Sequence, residues 1–229
     1  MFIIKRIIFK ILGRIIPRNI GTQLKNFKIL AIDFGQWRTI KEKSCIDREG
    51  NFIPWYTYPA IEFLKQFDFS EKSVFEWGSG NSSFFWSIRT KEVISVEDDK
   101  KWFDLINNNK LDNQKVILHE RKDDYINSIL DENKNFDIII IDGKYRYESS
   151  KNAIKCIGKN GLIILDNSDW HPKIVKMLKN HNLIQIDFNG FGPINGYTWT
   201  TSIFLRRNFN FKVKYQLKPI GDLNIEGNE

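Results

Sequence analysis

Residues 74–82 of this 229-residue chain, Val-Phe-Glu-Trp-Gly-Ser-Gly-Asn-Ser, constrain the possible fold more than any other segment. An apolar run ends at Glu76, and Gly78 and Gly80 follow before a polar pair that can begin a helix. A buried strand that turns into a helix over two glycines leaves room for a ligand at the helix N-terminus. A second strand-terminal acid, Glu97, comes 21 residues after Glu76, as in nucleotide-binding α/β sheets. The segment therefore predicts a nucleoside-binding corner.

Apolar runs and amphipathic segments alternate after an aromatic segment, Pro54 to Phe67, that we predict to be a helix. Strands are predicted at 73–77, 92–97, 115–119, 136–142 and 161–166. Helices are predicted between and after them at 82–89, 99–109, 123–131, 145–158 and 171–180. Continuous apolar strands such as 136–142 are typical of a parallel sheet that is covered on both faces. The alternation predicts an α/β fold with a doubly wound, mostly parallel sheet.

The end of the predicted sheet differs from the rest. Strands at 183–188 and 199–206 flank the glycine-rich stretch 189–198, which is too irregular for a helix. The last two strands should therefore form an antiparallel hairpin. Its loop begins at the carboxyl end of a strand and carries Phe191 and Tyr197, so we expect it to lie beside the ligand.

Polar residues follow the carboxyl end of every predicted parallel strand. Because ligands of open α/β sheets bind at that edge, these residues are candidates for a binding site. Each acid could instead cap a helix, which is the commoner role of a single such residue. The candidates are Glu76, Gly78, Ser79, Gly80, Glu97, Asp124, Asp142, Lys144, Asp166 and Asn167.

The order of these motifs over residues 54–206 resembles the class I S-adenosylmethionine-dependent methyltransferases. The resemblance implies a seven-stranded sheet with a reversed last strand. It also implies that Gly78, Ser79 and Gly80 line the methionine part of the cofactor and that Glu76 supports its amino group. The remaining implied contacts are ribose hydroxyls at Glu97, the adenine edge at Asp124 and the sulfonium at Asp142.

Three of the strand-end residues resemble the metal ligands of divalent-metal-dependent O-methyltransferases. Asp142, Asp166 and Asn167 would supply the hard oxygen ligands that suit Mg²⁺. The bound metal would lower the pKa of a substrate hydroxyl, and Lys144 could accept its proton if the pKa of that lysine were depressed. The alternative is that Asp166 and Asn167 only end a strand and cap a turn.

The net charge of +7 is concentrated at the N-terminus, because residues 1–44 carry ten basic and two acidic side chains. The remaining chain has a net charge of −1, which argues against a nucleic-acid partner. Cys45 and Cys156 form no metal-binding pair, and we expect two free thiols in a reducing compartment.

Residues 2–16 have the apolar spacing of a helical face with basic residues between, and Pro17 ends the pattern. Such a helix can lie in a membrane interface, dock on the protein's own surface or pair in a homodimer. We divide the chain into a basic N-terminal segment 1–53, a methyltransferase domain 54–206 and an extension 207–229. A cytoplasmic protein, peripheral to the inner face of a membrane, is the expected location.

These observations predict methyl transfer from S-adenosylmethionine to an oxygen of a small molecule or glycan, with Asp142 and Lys144 as catalytic residues. Oxygen is favoured by the possible metal ligands and by the lack of an Asn-Pro-Pro-Tyr-type motif after the fourth strand. Two alternatives remain. An NAD-dependent oxidoreductase shares the glycine-rich corner but would have a third glycine where Ser83 stands. A non-catalytic interaction module could keep the same fold.

Overall fold

A computed structural model describes residues 17–214 and 218–222. The predicted amphipathic helix at 2–16 lies outside these residues. The helices are α1 (Arg18–Lys28, continued by a π-turn at Ile29–Asp33), α2 (Gln36–Glu42), α3 (Tyr58–Leu64), α4 (Asn81–Ser87), α5 (Lys100–Asn109), α6 (Lys122–Asp131), α7 (Arg146–Cys156) and α8 (Pro172–Asn180). The strands are β1 (Ser73–Trp77), β2 (Glu92–Glu97), β3 (Gln114–Leu118), β4 (Phe136–Ile141), β5 (Ile157–Leu165), β6 (Ile184–Gly190) and β7 (Trp199–Leu205).

The strands form one seven-stranded sheet in the order β3-β2-β1-β4-β5-β7-β6. The pairs among β1 to β5 are parallel, whereas β7 is antiparallel to both β5 and β6. This arrangement confirms the predicted α/β fold, including the terminal hairpin. The strand order reverses at β1 and β4, so a crevice is expected between their carboxyl ends.

Helices cover both faces of the sheet, and the central strands are accordingly mostly apolar. In β4, Phe136 and the run Ile138 to Ile141 are fully buried. Side chains alternate between the two faces of a strand, and those of β4 divide between two clusters of buried residues. Burying each such isoleucine contributes roughly 1.5–3 kcal/mol, so the centre of the sheet is a rigid platform for its polar edge.

The described part of the segment before β1 packs on the same core. No helix was predicted between Pro17 and residue 53, but this part contains α1 and α2 and buries Ala31, Cys45 and Ile53. The aromatic helix is shorter than the predicted 54–67 and begins at Tyr58. Its start has a physical cause, because Pro59 in the first turn lacks an N–H group. The residues before it are extended and bind the β6–β7 hairpin, for example through Thr57.

Two further boundaries depend on tertiary packing. The predicted helix 145–158 ends at Cys156 because β5 already begins at Ile157. After β7 the chain returns to the core, where Phe211 is buried and Val213 forms an isolated bridge with Phe67. Both cysteines are free and buried. Among the described helices, none combines the length and apolar character that crossing a bilayer requires.

Candidate functional site

The floor of the site is a backbone contact between the ends of β1 and β4. Gly78 has a φ of +91°, a left-handed conformation that glycine adopts most easily. A Cβ atom added to Gly78 would lie 3.1 Å from both N and Cα of Gly143. A Cβ atom on Gly143 would lie 2.8 Å from the Gly78 nitrogen and 1.9 Å from the Tyr125 hydroxyl. Both glycines are therefore required by a close approach of two backbones.

Glu76 supports the loop from beneath. Its carboxylate is fully buried and accepts hydrogen bonds from the hydroxyls of Ser82 (3.0 Å), Ser83 and Ser95 (2.6 Å). Burial raises the pKa of Glu76 to about 7, and the three hydroxyl donors oppose that rise. Because Ser82 and Ser83 lie in the first turn of α4, Glu76 ties the end of β1 to the start of that helix.

Glu97 ends β2 and faces the same loop. One carboxylate oxygen accepts from the Ser79 backbone N–H (3.0 Å) and hydroxyl (2.9 Å), and the other accepts from the N–H groups of Asp98 and Asp99. The structure therefore brings Ser79 and Glu97 together, as expected for one binding site. A diol that bound Glu97 would compete with the Ser79 hydroxyl, which can rotate away.

The outer wall beside the loop is aromatic. Trp102 donates from its indole nitrogen to the Ser79 carbonyl oxygen, and a Cβ atom on Gly80 would meet its ring at 3.7 Å. The Gly80 N–H donates to the Ser83 hydroxyl at 3.0 Å. The backbone of Gly80 is extended, and a Cβ atom there would make only ordinary van der Waals contacts. In contrast to Gly78, the contacts within the protein therefore do not require a glycine at this position.

Asp124 lies in the first turn of α6, as predicted, but its surroundings are those of a surface residue. The carboxylate is about half exposed and lies 3.7 Å from the guanidinium of Arg121. The structure thus places Asp124 beyond β3 without showing a contact with the other predicted site residues.

Arg146 occupies the centre of the predicted metal site. Its guanidinium lies at the start of α7 and is mostly buried, with 17% of the side chain exposed. It donates hydrogen bonds of 2.7–3.3 Å to the carbonyl oxygens of Gly143, Asp142 and Asp166 and to side-chain oxygens of Asp142 and Asn167. The carboxyl ends of β4 and β5 are therefore joined by an organic cation.

These contacts do not fit Mg²⁺ at Asp142, Asp166 and Asn167. The side-chain oxygens of Asp142 and Asn167 already accept from a guanidinium, and a second cation beside it would be repelled. No group of three or more histidine, cysteine or acidic side chains in the described ranges is arranged to hold a metal ion. The sequence suggested the oxygen ligands but not the arginine between them.

The Asp166 carboxylate has hydrogen-bond partners on β7. One of its carboxylate oxygens accepts from the Trp199 indole nitrogen (3.0 Å) and the Thr201 hydroxyl (2.6 Å). Burial and the negative charge of Asp142 raise the pKa of Asp166 to about 8. Burial also raises the pKa of Asp142, which the adjacent Arg146 opposes. Asp142 is the more accessible of the two acids, with 28% of its side chain exposed.

Lys144 does not have the properties of the predicted proton acceptor. Its ammonium group is largely exposed and pairs with Asp98. The hydrogen bond from Lys144 to Asp98 raises the pKa of the lysine, whereas a general base would need a lowered pKa. The prediction fails because the partner comes from the end of β2, which the sequence around Lys144 does not reveal.

Two residues of the site were not predicted from the sequence, although the sequence contains an indication of one of them. Arg146 is the first residue of α7, where the helix dipole disfavours a cation, so a basic residue there indicates acidic partners. Tyr56 is fully buried, and its hydroxyl has no hydrogen-bond partner within the described residues. Burial and the nearby Asp142 and Glu76 raise its pKa, which places the hydroxyl close to the strand-end acids. No spacing in the sequence indicates this.

Comparisons with known proteins agree with this architecture. Neither a family model nor a curated protein sequence matches the chain. The solved O-methyltransferase TomG from Streptomyces achromogenes, in complex with S-adenosylmethionine, has a TM-score of 0.51 and 13% identity over 62% of this chain and 74% of its own.

Two other solved structures are less similar. Precorrin-6y C5,15-methyltransferase from Geobacter metallireducens has a TM-score of 0.48 and 14% identity, over 63% of this chain and 86% of its own. Spermidine synthase from Thermotoga maritima has a TM-score of 0.47 and 15% identity, over 66% of this chain and 62% of its own. The strand order and the similarity to TomG together define the fold. The chain has the fold of the class I S-adenosylmethionine-dependent methyltransferases, the family that its motifs resemble.

Proposed function

We propose that the protein transfers the methyl group of S-adenosylmethionine to a hydroxyl oxygen of a small molecule or glycan. The observation that carries this proposal is the contact of Gly78 with Gly143, with Glu97 and Asp142 on either side of it. Two backbones in contact leave a shallow floor onto which a ligand can lie, and the two acids can receive its hydroxyls and its positive charge. TomG, which has the same fold, binds S-adenosylmethionine.

Each residue has a distinct part in this proposal. The loop from Gly78 to Gly80 would hold the methionine portion, and Glu97 would exchange its bond from Ser79 for the ribose hydroxyls. Glu76 acts through the serines of α4 and keeps the loop in place. The bound cofactor supplies a methyl group activated by a sulfonium, so the protein has mainly to align the acceptor and exclude water.

One of the two sequence features that favoured an oxygen acceptor still supports it. The metal ligands no longer support it, but the segment after β4 begins Asp142, Gly143, Lys144, Tyr145 and carries no amino-group-binding motif. We propose that Asp142, rather than Lys144, accepts the proton of the hydroxyl. Asp142 is partly exposed and is held in position by the guanidinium of Arg146 at 2.9 Å.

Ser83 argues against the oxidoreductase alternative. It occupies the position of the third glycine of a dinucleotide fingerprint, yet it is fully buried, donates to Glu76 and accepts from the Gly80 N–H. A glycine would leave the Gly80 N–H without this acceptor and would remove one of the three hydroxyl donors to Glu76. Parallel calorimetric titrations with S-adenosylhomocysteine and NAD test the choice, and we expect binding of the former alone. Tight binding of NAD alone would refute the proposal.

Catalysis is tested separately from binding, because a non-catalytic module could retain the cofactor. We expect methyl transfer from labelled S-adenosylmethionine to a component of cell extract. Absence of transfer by the wild-type protein, together with intact S-adenosylhomocysteine binding, would favour the interaction module. The labelled product would also identify the acceptor.

Peripheral membrane contact and homodimer formation remain proposals. Helix α1 has no buried residue and exposes the apolar side chains of Ile20, Leu24 and Phe27, which follow residues 2–16 in the sequence. Six basic and two acidic side chains in residues 17–44 suit an anionic lipid surface. Co-sedimentation with anionic vesicles should fall on deletion of residues 1–17. Unchanged partitioning would refute membrane contact, and light scattering would detect a dimer.

A further inference from the structure

A cleft of about 800 Å³ lies at the carboxyl ends of β4 and β5, next to the proposed reaction site. Its walls come from the start of α7 and from the loop that leads into α8. The side chains that matter for its chemistry are Tyr145, Arg146, Tyr147, Trp170, His171 and Lys173.

The cleft opens beside the strand-end acids. Gly143 and Arg146 both line it, and Arg146 binds the Asp142 carboxylate. The residues that line the cleft do not include the loop from Gly78 to Gly80, so a molecule there would lie beside Arg146, the partner of Asp142, without occupying that loop. This position suits the acceptor rather than the cofactor.

Large aromatic rings stand exposed around the cleft. Trp170 is 58% exposed, Tyr147 44% and Tyr197 49%. The rings of Trp170 and Tyr197 lie 6.5 Å apart, and Tyr197 lies 5.9 Å from buried Trp199, which binds Asp166. Exposed apolar area costs about 25 cal/mol per Å², so a group of exposed rings that borders a cleft indicates a ligand surface.

We propose that this cleft binds a pyranose ring of the acceptor, an inference that rests on the proposed methyl transfer. A sugar has an apolar face of C–H groups that stacks on an aromatic ring, and hydroxyls at its rim that need polar partners. Trp170 and Tyr147 offer the rings, while His171, Lys173 and Glu148 offer donors and acceptors at the cleft wall.

The exposure of the rings favours a sugar over a flat phenolic acceptor. A phenol gains most from a dry slot that covers both of its faces, whereas Trp170 and Tyr147 are each about half exposed to water. A stacked sugar keeps part of its hydration at such a surface. His171, whose pKa burial lowers, adds a neutral side chain that can both donate and accept.

The inference is tested by saturation-transfer NMR on the full chain saturated with S-adenosylhomocysteine. The probes are a panel of methyl glycosides of common hexoses, deoxyhexoses and N-acetylhexosamines, with catechol as the phenolic comparison. We expect transfer to the ring protons of at least one glycoside, and at least tenfold weaker binding in Trp170→Ala. Trp37→Ala is the matched control, because Trp37 is 62% exposed but does not line the cleft.

The outcomes separate the inference from the proposed function. Binding of S-adenosylhomocysteine without binding of any glycoside would overturn the sugar cleft and leave methyl transfer intact. Binding of catechol alone, or of glycosides equally by wild type and Trp170→Ala, would also overturn it. If Trp170→Ala failed to fold, Tyr147→Ala would take its place with the same expectation. Glycoside binding without S-adenosylhomocysteine binding would refute the proposed function and support the cleft.

Discussion

Replacement of Gly143 by alanine tests the backbone contact on which the site is built. The new Cβ atom would lie 1.9 Å from the Tyr125 hydroxyl, 2.8 Å from the Gly78 nitrogen and 2.9 Å from the Trp77 carbonyl carbon. The last two atoms belong to the end of β1, whose position is fixed by pairing of Trp77 with Ile141. Tyr125 is fully buried and has little space in which to move.

The expected cost follows from these distances. Overpacking a core typically costs 1–3 kcal/mol, and two of the three clashes here involve backbone, so we expect about 3 kcal/mol. For a chain of this length that corresponds to a melting temperature lower by roughly 6–12 °C. Thermal and urea unfolding followed by circular dichroism measure the effect. Gly196→Ala is the control, since its Cβ would meet nothing within 4 Å, and we expect a change within about 0.5 kcal/mol.

A second variant identifies which clash matters. The Tyr125 hydroxyl is buried with no hydrogen-bond partner among the described residues, so Tyr125→Phe should be neutral or stabilising. The double variant Gly143→Ala/Tyr125→Phe should recover only part of the lost stability, because the backbone clashes with Trp77 and Gly78 remain. Wild-type stability of Gly143→Ala would refute the contact between the ends of β1 and β4.

Three further predictions concern charge. Glu97→Gln should weaken binding of S-adenosylhomocysteine at least tenfold in calorimetry, while Glu92→Gln, at the other end of β2, should bind it as the wild type does. Equal affinities of Glu97→Gln and the wild type would contradict the proposal that Glu97 binds the ribose hydroxyls. Methyl transfer should resist chelation by EDTA, and activity that is lost on chelation and restored by Mg²⁺ would contradict the position assigned to Arg146. Arg146→Gln should lower the free energy of unfolding in urea by ~2–3 kcal/mol, which is less than the loss of a fully buried ion pair costs. Because burial raises the pKa of Glu76 to about 7 and that of Asp166 to about 8, both folded acids retain protons that the unfolded chain has released. The stability that they contribute is present below pH 4 and is lost as the pH rises through 7 and 8, so the free energy of unfolding should be higher at pH 6 than at pH 9. Glu76→Gln should flatten that profile near pH 7, and an unchanged profile would contradict the assignment.

The sheet and its binding loop could be predicted because their signals are local. The apolar run of β4, the glycines after β1 and the absence of a helix before β7 each require only a short window of sequence. The connection rules of doubly wound folds limit the strand orders open to such a chain, but the order itself was not predicted. The position of Glu76 and Glu97 beside the glycine-rich loop was predicted from an equally local signal, since each lies at the end of an apolar strand.

The contacts that complete the site could not be predicted because they join distant parts of the chain. Lys144 pairs with Asp98, which is 46 residues away, and Arg146 joins the ends of two strands. The N-terminal segment shows the same effect, since Gln36 binds the β6–β7 loop across 156 residues. The sequence of α1 and α2 carries few local signals of a helix, and their positions depend on tertiary contacts.

Those long-range contacts also bear on the proposed route of an acceptor. Gln36 donates to the carbonyl oxygens of Gly192 and Asn195, and the Thr39 hydroxyl accepts from the Ile194 N–H at 2.8 Å. Helix α2 is thereby hydrogen-bonded to the β6–β7 loop.

The N-terminal segment also reaches the first turn of α4, where Asn81 donates to Ser44 and to the Cys45 carbonyl oxygen. The segment thus lies over the end of β1 as well as against the hairpin loop. The cleft at Trp170 and Arg146 is outside these contacts and opens directly to solvent. On the proposed function, a large acceptor such as a glycan would enter by this cleft without displacing those contacts, and the exposed rings would be its binding surface.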